Sequence, residues 1–240
     1  AQVAGGGVYY ASNTDVLAVS ATTIADNTVT NGNGGGMQVE SGVHLVNSTI
    51  TGNRASGTSG AIHAYSWYDP QYPQYATQPY NITLDFVTVS GNGAAIAGNF
   101  GTSSPQVVTL IANASVISDP RTDTGAVGGD NCVLSPAATA TASVASDASC
   151  FADGGTNRVA TVAAIALGPV ADNGGATATM LPGSTSVLLE FVTTNPVGSV
   201  TTDQRGVART VPMTAGAVEV DPAVTPTTSS DAPVVPAFTG

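Results

Sequence analysis

Thr49-Ile50-Thr51-Gly52-Asn53 decides how this chain is read. The phrase is a β-branched pair, two small residues and an asparagine. It stands earlier as Thr23-Ile24-Ala25-Asp26-Asn27 and later as Thr88-Val89-Ser90-Gly91-Asn92, with a looser copy at Ser115-Val116-Ile117-Ser118-Asp119. The last residues of these copies, 27, 53, 92 and 119, are 26, 39 and 27 positions apart. Glycine-rich stretches keep step with it: Gly5-Gly6-Gly7, Gly34-Gly35-Gly36, Gly60-Ala61-Ile62 and Gly93-Ala94-Ala95-Ile96. A repeat of this length predicts a solenoid in which each coil stacks on the next.

Each part of the phrase has a physical role in such a coil. Thr-Ile and Thr-Val favour a short strand, with the apolar residue turned inward and Thr outward. Asn closes a turn by bonding to backbone, and Asn27, Asn53 and Asn92 at one corner predict a hydrogen-bonded ladder. The glycine runs mark corners that tolerate no Cβ or need positive φ. The expected fold is therefore all-β, a single-stranded parallel β-helix, with repeat coils over residues 1–118.

Composition agrees. Of 240 residues, 42% are hydrophobic but only 5% are aromatic, so Val, Ile, Leu and Ala must build the core. Charged residues make up 9%, far below the usual quarter. Lysine is absent, and the net charge is −11. Phosphate backbones and anionic lipid both need clustered positive charge, so neither nucleic acid nor a membrane surface is an expected partner. No apolar run is long enough to span a bilayer as a helix. Ala1-Gln2 is either a mature end left by signal removal or a fragment boundary.

Residues 65–80 interrupt the period. Tyr65, Trp67, Tyr68, Tyr72, Tyr75 and Tyr80 cluster here with three prolines, which exclude a central strand. The stretch reads as a loop inserted into one coil. Its uncharged amphipathic rings suit a contact surface, for protein or sugar, or a cover for an apolar flank. Residues 119–160 read as turns around Cys132 and Cys150, whose spacing in a secreted-looking chain predicts a disulfide. Strand-like alternation returns at Val159–Val170 and Ser186–Val192. Residues 221–240 form a Pro/Thr-rich tail, expected to be extended and held by its own body or a neighbour.

Catalytic patterns are weak. A lyase needs a base beside calcium-holding carboxylates. Arg54 has no acidic residue within ten positions, and Asp119, Arg121, Asp123 and Asp130 lack calcium-loop spacing. His44 and His63 are expected on neighbouring coils, as two ordinary strand histidines or, alternatively, as a stacked pair. No cofactor or metal site is expected. Asn47-Ser48-Thr49, Asn81-Ile82-Thr83 and Asn113-Ala114-Ser115 match the N-glycosylation pattern no more often than chance gives in a Ser/Thr-rich chain, and abundant Ser and Thr offer O-linked sites instead.

Six segments occur in order: Asn131-Cys132, Ser146-Asp147-Ala148-Ser149-Cys150, Leu167-Gly168-Pro169-Val170-Ala171-Asp172-Asn173-Gly174-Gly175, Leu181-Pro182-Gly183-Ser184, Thr202-Asp203-Gln204-Arg205-Gly206 and Gly216-Ala217-Val218-Glu219. Together they resemble the C-terminal part of bacterial secreted right-handed parallel β-helix repeat proteins of the choice-of-anchor Q type. The repeats look like the coils of those proteins and of polymorphic outer-membrane adhesins. The match departs at Ser184-Thr185-Ser186 and Met213-Thr214-Ala215. The resemblance implies right-handed coils, with disulfide-containing C-terminal coils over 119–220, and a secreted, extracellular or cell-surface location. The function expected is non-enzymatic: a self-assembling fibre subunit or adhesive stalk whose partners are copies of itself. The alternative is a glycan-binding or polysaccharide-degrading protein of the same fold.

Overall fold

The computed structural model describes residues 5–12, 15–65, 80–103 and 108–220. In it, short strands recur in rounds. The first round holds β1 (Val8–Tyr10), β2 (Leu17–Ser20), β3 (Thr23–Ala25) and β4 (Thr28–Val29). The second holds β5 (Met37–Val39), β6 (Val43–Val46), β7 (Thr49–Thr51) and β8 (Arg54–Ala55). The third holds β9 (Ile62–Tyr65), β10 (Tyr80–Asp85), β11 (Thr88–Ser90) and β12 (Gly93–Ala94). Next come β13 (Ala97–Ser103), β14 (Val108–Asn113) and β15 (Val116–Ser118). Then follow β16 (Asp130–Val133), β17 (Thr139–Thr141), β18 (Val144–Ala145) and β19 (Arg158–Val159).

Like strands of successive rounds pair in parallel. The first sheet runs β1-β5-β9-β13-β16, the second β2-β6-β10-β14-β17, and the third β3-β7-β11-β15-β18-β19, with a small fourth of β4-β8-β12. The protein is thus all-β with long parallel sheets, an arrangement compatible with a parallel β-helix. The repeated phrase stacks in register, so that Ile24, Ile50, Val89 and Ile117 form one inward column. With Met37, Leu45, Ile62, Leu84, Phe100 and Leu110 they fill one aliphatic core.

Two columns of left-handed residues turn the chain. Ala21, Asn47, Phe86, Ala114 and Ala142 all have φ between 46 and 55°, one residue past the second sheet in each round. None is glycine, so each costs about 1–2 kcal/mol. Every round therefore bends at the same place by the same means. The second column is Asp26, Gly52, Gly91 and Asp119. It corrects the sequence alignment of the fourth phrase. Thr88 pairs with Val116, not Ser115, so Asp119 stacks on Gly91 and the repeat there is one residue longer than the phrase suggests.

After β19 the described chain adds no strand to these sheets. Residues Val159–Val170, expected as strand, include a helical turn, α1 (Val162–Ile165), capped by Thr161 and ended by left-handed Ala166. Then β20 (Leu167–Ala171) pairs antiparallel with β21 (Thr179–Pro182). Ser186–Val192, also expected as strand, consists mainly of turns whose Leu188 and Val192 are buried.

This return segment lies on the outer face of the third sheet. Thr23, Thr49 and Thr88 form its outward column, and each is engaged. Thr49 donates to Gln204 Oε1 at 2.7 Å, Gln204 Nε2 donates to Thr23 Oγ1 at 2.9 Å, and Ala217 N donates to Thr88 Oγ1 at 2.9 Å. Arg209 reaches Asn47 Oδ1 at 3.0 Å and lies 4.0 Å over the Phe86 ring. Burial pushes the Glu219 carboxyl up to about 7 despite its 3.3 Å contact with Arg209. The outward threonines are the seat of the return segment rather than a wet surface.

Candidate functional site

The asparagines form a continuous ladder through the stack. Asn27 Nδ2 donates to Asn53 Oδ1 and Asn53 Nδ2 to Asn92 Oδ1, each at 2.9 Å. The fourth phrase has no asparagine to continue it. Instead Asn92 Nδ2 donates to Asn99 Oδ1 at 2.9 Å, Asn99 to Asn131 at 2.7 Å, and Asn131 to Asp147 Oδ2 at 2.8 Å. Every amide donates in the same direction, and the chain ends on a carboxylate. Aligned dipoles of this kind reinforce one another. Glycine is required beside the rungs: a Cβ on Gly7 would lie 2.8 Å from Asn27 Nδ2, and one on Gly36 would lie 2.7 Å from Ala61 O. Sequence reading found three of the five asparagines. Asn99 and Asn131 carry no phrase around them, and only their position in β13 and β16 brings them into line.

The two ends of the stack differ. At the end formed by β16–β19, Cys132 and Cys150 are bonded, with Cα atoms 5.0 Å apart. Cys150 and Phe151 are buried in the aliphatic core and close it. Side chains satisfy the edge amides: Asn131 N donates to Asp147 Oδ2 and Cys132 N to Ser149 Oγ, both at 3.0 Å. Ser149 Oγ in turn donates to Asp147 Oδ1. Ala142 N and Ser143 N donate to Thr156 Oγ1 and Asn157 Oδ1.

No described residue covers the end formed by β1–β4. Val8, Tyr10, Leu17 and Val19 pack on the core yet stay only half-buried, whereas Met37, Val39, Val43 and Leu45 one round below are fully buried. Tyr9 and Val16 are 53% and 62% exposed. Each lower Asn rung in the repeats accepts two hydrogen bonds, as Asn53 Oδ1 does from the backbone and side chain of Asn27. Among the described residues nothing donates to Asn27 Oδ1. Unpaired strand edges of this kind template further strands.

Of the tyrosine cluster, Trp67, Tyr68, Tyr72 and Tyr75 lie outside the described residues. Tyr80 does not present its hydroxyl to solvent: it reaches Tyr65 O at 2.8 Å and Val39 O at 3.0 Å, and burial raises its pKa. Tyr65 begins at the edge of the described region and keeps a half-buried side chain. The tail, 221–240, is likewise outside the described residues.

His44 and His63 do not stack. His44 stands in the second sheet and His63 in the first. His44 Nε2 lies 2.6 Å from Asp85 Oδ2, whose other oxygen accepts from Asn113 at 2.8 Å. His63 is fully buried, its Nε2 has no partner among the described residues, and burial pushes its pKa down to about 4. Asp119 pairs with Arg121 at 2.5 Å. Asn47 is a poor glycan acceptor, because its amide donates to Thr202 O and accepts from Arg209. No helix among the described residues is long and apolar enough to cross a membrane.

Comparison with protein-family models, curated proteins and solved structures finds no match to this chain.

Proposed function

We propose that the chain is a non-enzymatic extracellular structural protein: a single-stranded right-handed parallel β-helix that serves as an adhesive surface stalk. Its open end associates non-covalently with a second copy, and its closed end forms the tip. The carrying observation is the half-buried core of the first round, Val8, Tyr10, Leu17 and Val19, above strand edges that take no partner among the described residues. A two-ended filament needs two open ends, and the Cys150–Phe151 plug leaves one. The disulfide supports an oxidising, secreted setting.

Sedimentation velocity over a dilution series tests the association, with electron microscopy of the same samples. Six strands in the longest sheet correspond to a rod of roughly 24 Å along the stack. The proposal expects a concentration-dependent species doubled in length and mass, abolished by Leu17→Lys. A monomer at every concentration contradicts it. A cleft at the closed end favours a second reading, glycan binding, as a property of the tip.

A further inference from the structure

A cleft of about 640 Å³ opens between the last strands of the stack and the return segment. That volume is ordinary for a small-molecule site. We propose that it binds an acidic sugar unit, with Arg158 taking the carboxylate and Glu190 the ring hydroxyls. The inference supplies the tip of the stalk with a ligand, but its chemistry stands apart from self-association.

Arg158 ends the outward column that begins with Thr23, Thr49 and Thr88 and continues through Val116 and Val144. Thr49, Thr88, Val116 and Val144 are buried, but Arg158 is exposed in the cleft wall, its guanidinium 4.9 Å from the Phe191 ring centroid. Glu190 lines the same cleft and is also exposed. These opposite charges make no ion pair with each other or with any described residue. Arg121, Arg205 and Arg209 each have a carboxylate within 4.0 Å. Of the two guanidiniums without a carboxylate among the described residues, Arg54 and Arg158, it is Arg158 that stands beside an aromatic wall, in a chain of net charge −11.

Glu190 is held at φ 53°, the left-handed turn conformation it shares with Ala21, Asn47, Phe86, Ala114 and Ala142, so its backbone marks a turn and it is the carboxylate at the cleft that bears on binding. Thr141, Thr156 and Thr193 add hydroxyls around the same space. A guanidinium grips a carboxylate through two parallel hydrogen bonds, a carboxylate accepts from sugar hydroxyls, and Phe191 offers an apolar wall to the C–H face of the ring.

Isothermal titration at low salt with trigalacturonate, and with maltotriose as the neutral control, tests this. Trigalacturonate should bind, maltotriose should bind far more weakly, and Arg158→Gln should weaken the acidic ligand about tenfold while leaving Tm unchanged. Glu190→Gly should raise Tm, because the strain is relieved, yet weaken binding. Equal affinity for both trisaccharides, unaltered affinity in Arg158→Gln, or no heat with trigalacturonate at millimolar concentration overturns the proposal. Sedimentation of the same variants should be unchanged, so a failure here is distinguishable from failure of self-association.

Discussion

The first and last rounds of the stack are built from the same strand types and finish differently. At the β16–β19 end, the edge amides find Asp147, Ser149, Thr156 and Asn157, and Cys150 and Phe151 fill the core. At the β1–β4 end, inward residues stay half-exposed and the ladder's final acceptor has no described donor. The contrast teaches that a parallel stack has no intrinsic terminus. It ends only where side chains replace the next round of backbone, and where they do not, the end remains a surface for assembly.

The ladder offers the sharpest way to break this contrast. Asn53→Ala, in the middle, removes the acceptor of both the backbone and the side-chain amide of Asn27 and the side-chain donor to Ile24 O, Thr51 O and Asn92 Oδ1, at a cost of about 4 kcal/mol. Asn27→Ala at the β1–β4 end removes a rung to which no described residue donates and should cost about 1 kcal/mol. Urea denaturation of both variants measures the difference. Equal losses would mean that the ladder is not a shared network.

Removing the disulfide attacks the closed end. Cys150→Ser in place of the bridge, or reduction, should cost about 3 kcal/mol for a loop of 18 residues. Amide exchange should quicken in β16–β18 and stay unchanged in β1–β4. Quickening at both ends alike would show that the plug does not act locally.

Acid loosens the middle instead. His63 titrates at about 4 in the folded chain against 6.5 unfolded, so the unfolded state binds more protons between those values. Stability held above pH 6.5 is lost as pH falls through this window, by about 2 kcal/mol at pH 5. Glu219 works in the opposite sense: its raised pKa contributes stability below pH 4.5 that is lost as pH rises toward 7. Comparison with His63→Gln isolates the first effect. The stability difference between the two proteins should change with pH as stated, and a flat difference would contradict it.

The smallest effect lies in the left-handed column. Ala21→Gly, exposed at the open end, should stabilise by about 0.5–1 kcal/mol as measured by Tm. Ala142→Gly, buried at the closed end, should gain less because its methyl packs against the core there.

Much of the architecture was legible because Thr-Ile-x-x-Asn carries strand, core and turn in one phrase. The fourth copy misled by one residue, since register follows backbone pairing and the left-handed position, which Gly91 and Asp119 share, rather than the asparagine. Asn99 and Asn131 were invisible because a ladder needs only a common place in space. The alternation at Ser186–Val192 imitated a strand because Leu188 and Val192 pack on the outside of the third sheet. Arg158 and Glu190 are 32 positions apart and belong to no motif, so their cleft exists only in the fold.

Hydrogen exchange at residue level, at low and high protein concentration, tests the central claim most directly. The account predicts that amides of β1–β4 exchange fastest at low concentration and become protected as concentration rises, while those of β16–β18 stay protected throughout. Equal protection of both ends, independent of concentration, would contradict it.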